Sequence, residues 1–380
     1  MAQPLRILFW NELYLPAIGG AEIFTARLAR GLQERGHSVA VVADQLPHSL
    51  PPRETIDQIP VYRFPFRAAL RALSDPAAAG EAQFEFMKIS KAVRALKSEG
   101  MFDIVHVNFS GPGPLFHLRT RQQDRSGMVV TLQTALTAKA GGEAGLARDL
   151  LRAADRVVAV SQPAAKNIEL CAGYPLDKIS VIYPGIPGDL FAPSTPRPGL
   201  PTIVFIGRLV TDKGADCAIR AMQPLRGRAR LVVIGDGPEK AALENLAAEL
   251  SLTESVHFTG YISDDERRKF LAEATAMLVP SRHEELFGMV AAEGSLSSLP
   301  VVVSDTGGLP EVVQDGVTGI VVPKDEPQAL SQALQKLLSN PALAKEMGKA
   351  GRERVRKKFL LEKTVDDYEN LYAEIKKARS

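Results

Sequence analysis

Short apolar runs alternate with longer stretches of helical period along most of the chain. Leu5–Trp10 reads as a strand, and Ala21–Arg35 follows with Ile23, Ala26, Leu28 and Leu32 at helical spacing before Gly36 ends it. Val39–Ala43, Ile104–Val107, Met128–Leu132 and Val157–Val160 predict further strands. The same grammar resumes with Thr202–Ile206, Leu231–Ile234, Val256–Phe258, Met277–Val279, Val301–Val303 and Ile320–Val322. Strands and helices in alternation predict α/β architecture, with parallel sheets covered by helices on both faces. Between the two series lies Pro184–Pro201, with six Pro, three Gly and little periodicity. It reads as the connection between two α/β domains, residues 1–190 and 191–359. Leu360–Ala378 is a separate amphipathic pattern carrying Val365, Tyr368, Leu371, Tyr372 and Ile375. Pattern alone leaves open whether it closes the second domain or contacts the first.

Length and composition narrow the class. At roughly 150 residues per domain, 380 residues suit two domains. A 45% hydrophobic and 24% charged composition is globular rather than disordered. Lys plus Arg number 46 against 44 Asp plus Glu, and neither half of the chain is strongly basic, so no nucleic-acid partner is expected. Cys171 and Cys217 are too few for a disulfide framework or a thiolate zinc site. The six His are scattered, and no Asp-x-Asp stands at a strand end, so no metal is expected either. No apolar stretch is long enough to span a membrane, and Leu5–Trp10 is too short for a signal-peptide core. A cytoplasmic protein is expected.

Open parallel sheets bind ligands beyond the carboxyl ends of their strands, and several segments there carry candidate chemistry. Gly19-Gly20 after the first strand lets backbone approach a ligand at a helix N-terminus, although a plain tight turn explains it equally. Gly207-Arg208 through Lys213-Gly214 places two cations where they could clamp a diphosphate, against the alternative of a solvated surface pair. Gly235-Asp236-Gly237-Pro238 is half of a dinucleotide loop, with Lys240 in place of the third glycine. In Pro280–Glu293, the carboxylates Glu285 and Glu293 bracket a helix start near Gly288, a spacing suited to sugar hydroxyls and a ribose diol, against the alternative of an ordinary helix N-terminus enriched in Glu; Glu284 reads as a solvated neighbour. Ser304–Glu311 adds another glycine-paired loop. No phosphate-binding Gly-x-x-x-x-Gly-Lys-Ser/Thr loop and no Gly-x-Ser-x-Gly elbow is present.

Together these segments resemble the retaining glycosyltransferases of family 4 (GT4), which have the GT-B fold. The resemblance runs through Gly19-Gly20-Ala21-Glu22, Ala154–Ser161, Val181–Ile186, Phe205–Gly214, Val233–Pro238, the Glu-x7-Glu pair Glu285 and Glu293, and Val301–Glu311. It implies two facing Rossmann-like domains with a cleft between them, residues 360–380 crossing back to complete the first. It also implies a nucleotide-diphosphate sugar held by the second domain and a carbohydrate or lipid-linked acceptor received by the first. In that assignment Arg208 and Lys213 contact the diphosphate, Glu285 the donor sugar and Glu293 the ribose. Gly237, Phe287, Gly288, Met289, Val290, Gly19 and Gly20 line the donor. No metal or other cofactor is needed.

Three positions depart from the family. Gln133 stands where relatives usually place a His that contacts the donor sugar, Asn108 where a second His often follows His106, and Ser298 where Gly is frequent. Glutamine can still hydrogen-bond a hydroxyl but carries no charge. Hexose transfer with retained configuration is the leading reading. Nucleotide-sugar epimerisation, which calls for acid and base groups at the sugar, and a nucleotide-sugar-binding subunit without turnover are the alternatives. Finally, Arg63–Leu73 interleaves basic and apolar residues. That pattern fits peripheral contact with an anionic membrane, or a helix with a solvated Arg face and a buried Leu face.

Overall fold

Strands form where the apolar runs predict them. The protein is described here by a computed structural model covering residues 3–17, 19–73, 79–121, 124–136 and 143–379. It divides into two units, Met1–Tyr183 with Leu361–Ser380, and Pro184–Leu360.

The first unit runs β1 (Arg6–Asn11), α1 (Gly20–Glu34), β2 (Ser38–Asp44), β3 (Arg53–Ile56), β4 (Ile59–Phe64), α2 (Phe66–Leu73), α3 (Ala79–Gly100), β5 (Ile104–Phe109), α4 (Leu115–Thr120), β6 (Gly127–Leu132), α5 (Glu143–Ala153), β7 (Arg156–Ala159), α6 (Gln162–Ala172) and β8 (Ile179–Val181). The second runs β9 (Thr202–Ile206), α7 (Ala215–Ala221), β10 (Arg230–Ile234), α8 (Lys240–Glu249), β11 (Val256–Gly260), α9 (Asp264–Glu273), β12 (Ala276–Val279), α10 (Met289–Leu296), β13 (Val301–Ser304), α11 (Leu309–Val312), β14 (Gly319–Val322), α12 (Pro327–Ser339) and α13 (Pro341–Lys358). The closing helix, α14 (Leu361–Arg379), belongs to the first unit.

Among the described residues, the first sheet has eight strands in the order β3-β4-β2-β1-β5-β6-β7-β8, and the second has six in the order β11-β10-β9-β12-β13-β14. Among the described residues, only β3 and β4 pair antiparallel within the sheets; the other neighbours are parallel. The central strands are buried along their whole length and mostly apolar, as sheets covered by helices on both sides require. In each sheet, the order reverses beside the unit's first strand, β1 or β9, the kind of switch point where such sheets take ligands.

The amphipathic pattern at the C-terminus is resolved by α14. Val365, Tyr368, Leu371, Tyr372 and Ile375 are buried in one cluster with Ile7, Phe9, Leu28 and Leu32. His106 on β5 meets this helix, with Nδ1 2.5 Å from the Tyr372 hydroxyl and Nε2 2.8 Å from Thr131 Oγ1. The division between units falls at Tyr183/Pro184, so residues 184–190 go with the second unit rather than the first. The cause is local: Ile186 N–H donates to Phe359 O at 2.8 Å, and Ile186 bridges to Leu360.

Candidate functional site

In the second unit, the loops after β9, β12 and β13 meet at the carboxyl edge of the sheet. Lys213 Nζ lies 2.5 Å from Glu285 Oε1, and Ser281 Oγ donates to the same oxygen at 2.8 Å. Burial pushes the Glu285 carboxyl up most strongly of any single cause, but the charge and hydrogen bond of Lys213, with His283 and Ser281, together outweigh it, and the group ends below its ordinary value. Arg208 is exposed on the same loop as Lys213. Glu284 is exposed, a solvated neighbour of Glu285.

The backbone of the Glu285 loop is held from two sides. Gly308 N–H donates to Glu285 O at 2.7 Å, and Thr306 Oγ1 donates to His283 O at 3.1 Å. Gly288 then starts α10 at φ +106°, where a Cβ would also lie 2.6 Å from Leu309 Cδ2. The left-handed backbone strains any larger residue there, and Leu309 would also have to shift. Phe287 is 3% exposed and meets Phe359 edge-on at 5.3 Å, so it anchors the loop from beneath. Met289 and Val290 are half-buried on the first turn of α10. At Gly237, a Cβ would stand 2.4 Å from Leu209 O, so this glycine lets the loops after β9 and β10 pack together.

Glu293 is 3% exposed on α10, and its Oε2 lies 2.9 Å from Arg267 Nη1 on α9. Sequence reasoning missed Arg267, because Asp264–Lys269 reads as an ordinary solvated charge run. It also missed Arg282. This guanidinium donates to both Asp216 oxygens at 2.7 Å, to Asp325 Oδ1 at 2.7 Å and to Thr211 O at 2.9 Å. It thereby pins the loop carrying Lys213 to the loop carrying Glu285. Its acceptors are remote in sequence, so no local spacing announces it.

Gly19, Gly20 and Gln133 belong to the first unit, and the remaining candidates to the second. Gly19 is extended (φ −156°) and precedes α1, whose first residue is Gly20. Gln133 follows β6 and donates from Nε2 to Asn108 Oδ1 at 3.3 Å. Asn108 Nδ2 reaches Asn11 Oδ1 at 3.2 Å and Thr25 Oγ1 at 3.0 Å, so a chain of neutral polar groups runs along the carboxyl edge of the first sheet.

Residues 63–73 are not one amphipathic segment. Arg63 ends in β4, is 2% exposed, donates from Nη2 to Leu15 O at 2.6 Å and pairs with Glu54. Phe66 is fully buried against Trp10, with ring centroids 5.4 Å apart. Arg67 Nε donates to Glu12 Oε1 at 2.5 Å. The first two arginines of the stretch are thus engaged within the protein. Among the described residues, no helix is long and apolar enough to cross a membrane, and no cluster of three or more His, Cys, Asp or Glu is placed to hold a metal ion.

Comparison with known proteins follows the same division. The family model "Glycosyltransferase Family 4" matches residues 18–189, and "Glycosyl transferases group 1" matches residues 189–354. The chain is 29% identical over 368 residues to the D-inositol 3-phosphate glycosyltransferase of Acidothermus cellulolyticus, covering 87% of this chain and 80% of that one. Among solved structures it is similar to sucrose-phosphate synthase from Thermosynechococcus elongatus, with TM-score 0.82, 22% identity, and coverage of 98% of this chain and 100% of that one. It is likewise similar to Anabaena HepE in complex with UDP-glucose, with TM-score 0.78, 19% identity, and coverage of 97% and 100%. Two successive family matches spanning both sheets, together with this fold, show that the chain belongs to the family 4, group 1 glycosyltransferases and has the GT-B fold.

Proposed function

We propose that the protein transfers a hexose from a nucleotide-diphosphate sugar to a carbohydrate or lipid-linked acceptor, with retention of anomeric configuration and without a metal ion. The observation that carries this reading is the Lys213–Glu285 pair at 2.5 Å on the carboxyl edge of the second sheet. A cation for a diphosphate and an ionised carboxylate for sugar hydroxyls stand side by side there. The named neighbours support a nucleotide-sugar donor: HepE is described with UDP-glucose.

Breaking the anomeric C–O bond leaves negative charge on the diphosphate and positive charge on the sugar ring. Arg208 and Lys213 stabilise the first as it develops, which lowers the barrier more than it tightens ground-state binding. Glu285, kept ionised by Lys213, accepts hydrogen bonds from donor-sugar hydroxyls and favours the cationic ring. Glu293 accepts from the ribose diol, with Arg267 as its counter-charge. Backbone at Gly237 and at Phe287–Val290 lines the donor. The acceptor oxygen attacks from the face the diphosphate leaves, and a phosphate oxygen takes its proton. No side-chain base is called for, which distinguishes this chemistry from epimerisation.

Proton NMR of donor turnover tests the reading. Product or released sugar appearing first as the anomer of the donor, in the presence of chelator, supports it. The opposite anomer would contradict retention, and strict dependence on a divalent cation would contradict metal independence.

A further inference from the structure

Arg282 commits every donor it has to the protein. Nε donates to Asp325 Oδ1 at 2.7 Å, and Nη1 donates to Asp216 Oδ1 at 2.7 Å and Thr211 O at 2.9 Å. Nη2 donates to Asp216 Oδ2 at 2.7 Å and Cys217 Sγ at 3.2 Å. A guanidinium carries five N–H groups, and each has an acceptor here. Two carboxylates offset its charge. Arg282 therefore stands three residues before Glu285 with no hydrogen left to offer a diphosphate or a sugar.

Its acceptors bracket Lys213. Thr211 precedes the lysine in the single turn Thr211–Lys213, and Asp216 follows it on α7. One backbone bond, Arg282 N–H to Asp212 O at 2.8 Å, joins this turn to the Glu285 loop, and a single such joint lets the turn pivot. The guanidinium adds a point of attachment on either side of Lys213. Held at three points, the turn keeps Lys213 Nζ at 2.5 Å from Glu285 Oε1. Asp325, in the loop after β14, backs the guanidinium from a left-handed backbone (φ +62°). That conformation is uncommon for a residue with a side chain, and bonds from Arg282 and from the Cys217 thiol hold it.

We propose that Arg282 is a positioning residue for transfer: through Thr211, Asp216 and Asp325 it sets Lys213 against Glu285, so that the diphosphate and the sugar of one donor meet both groups together. The role rests on the glycosyl-transfer reading; the clamp rests on the bonds alone.

The test is sugar release from UDP-glucose, GDP-mannose and ADP-glucose, with calorimetric affinity for UDP, GDP and ADP. Arg282→Gln and Arg282→Lys are each compared with Lys213 intact and in the Lys213→Ala background, and urea unfolding reports stability. Asp325→Asn, at an exposed position, is the milder variant that serves if Arg282→Gln does not fold. Arg282→Gln is expected to lower kcat/KM by roughly tenfold or more with Lys213 intact, and by less than about threefold in Lys213→Ala, because the clamp acts through that lysine. Asp325→Asn should show the same dependence on Lys213 with a smaller loss. Arg282→Lys should regain stability by restoring a charge beside Asp216, but not rate, because one ammonium cannot span Thr211, Asp216 and Asp325. Equal losses with and without Lys213, or a rate that recovers in step with stability in Arg282→Lys, overturn the proposal even where a donor turns over. Lys213-dependent loss of nucleotide affinity, with no sugar released from any donor, leaves the clamp standing and removes the glycosyl-transfer reading instead. No nucleotide bound by the unaltered protein removes both.

Discussion

Gln133 donates from its side-chain amide to Asn108 across 3.3 Å, so the two positions that depart from the family's histidines touch each other. Two imidazoles there could carry charge; this amide pair is neutral at every pH at which the protein is folded. Asn108 also reaches Asn11 and Thr25, and it therefore orients Gln133 from a fixed base.

That contact predicts coupling. Gln133→Ala and Asn108→Ala are expected to lower kcat/KM by amounts that do not add, with a coupling of at least about 0.5 kcal/mol in a double-mutant cycle. Gln133→His is expected to alter donor preference or rate with little change in stability. Additive losses, together with an unchanged donor profile in Gln133→His, would place Gln133 away from the donor sugar.

Lys213→Ala and Glu285→Gln are each expected to lower kcat/KM for the nucleotide sugar at least roughly tenfold, about 1.4 kcal/mol of transition-state stabilisation. Because each is the other's counter-charge, the double variant should lose less than the product of the two single losses. Steady-state kinetics on the three variants checks both statements.

Arg267 supports a buried carboxylate and is expected to matter for stability as well as for donor binding. Arg267→Leu leaves Glu293 at 3% exposure without its counter-charge. Breaking such a pair from one side costs about 3–5 kcal/mol, and the partial exposure of Arg267 puts this case toward the lower end. Urea unfolding measures the loss, and Arg267→Lys should recover part of it.

His106 makes the first unit acid-sensitive. Complete burial lowers its pKa from 6.5 to about 3. Between those values the unfolded chain binds a proton that the folded chain does not, so stability rises with pH there and is fully present above 6.5. Going from pH 7 to pH 5 should cost about 2 kcal/mol from this group. Unfolding followed across that range should show the slope, and His106→Gln should remove its share.

The alternation of apolar strands and helical stretches made the two sheets legible, because a strand covered on both faces is apolar throughout. Val301–Val303 and Thr202–Ile206 are such runs. The hairpin of β3 and β4 was not legible. Arg53–Ile56 is half-exposed and polar, and β4 carries Pro60 and, one residue before its end, the buried Arg63. Arg63 looked like a surface charge because its acceptors, Leu15 and Glu54, are chosen by the fold. The glycine-rich and acidic motifs marked the loops of the site, since backbone approach and helix starts are written locally. Arg267 and Arg282 were missed for the opposite reason: each acts on residues that sequence alone does not bring near.

The most direct test of the central claim is thermal unfolding of the protein and of Lys213→Ala against UDP, GDP, ADP and their common sugar conjugates. The account predicts a base-selective rise in melting temperature for the unaltered protein, much reduced in Lys213→Ala, as expected for a ligand bound only by the folded state. No stabilisation by any nucleotide, or equal stabilisation of both proteins, would contradict a nucleotide-sugar site built on Lys213 and Glu285.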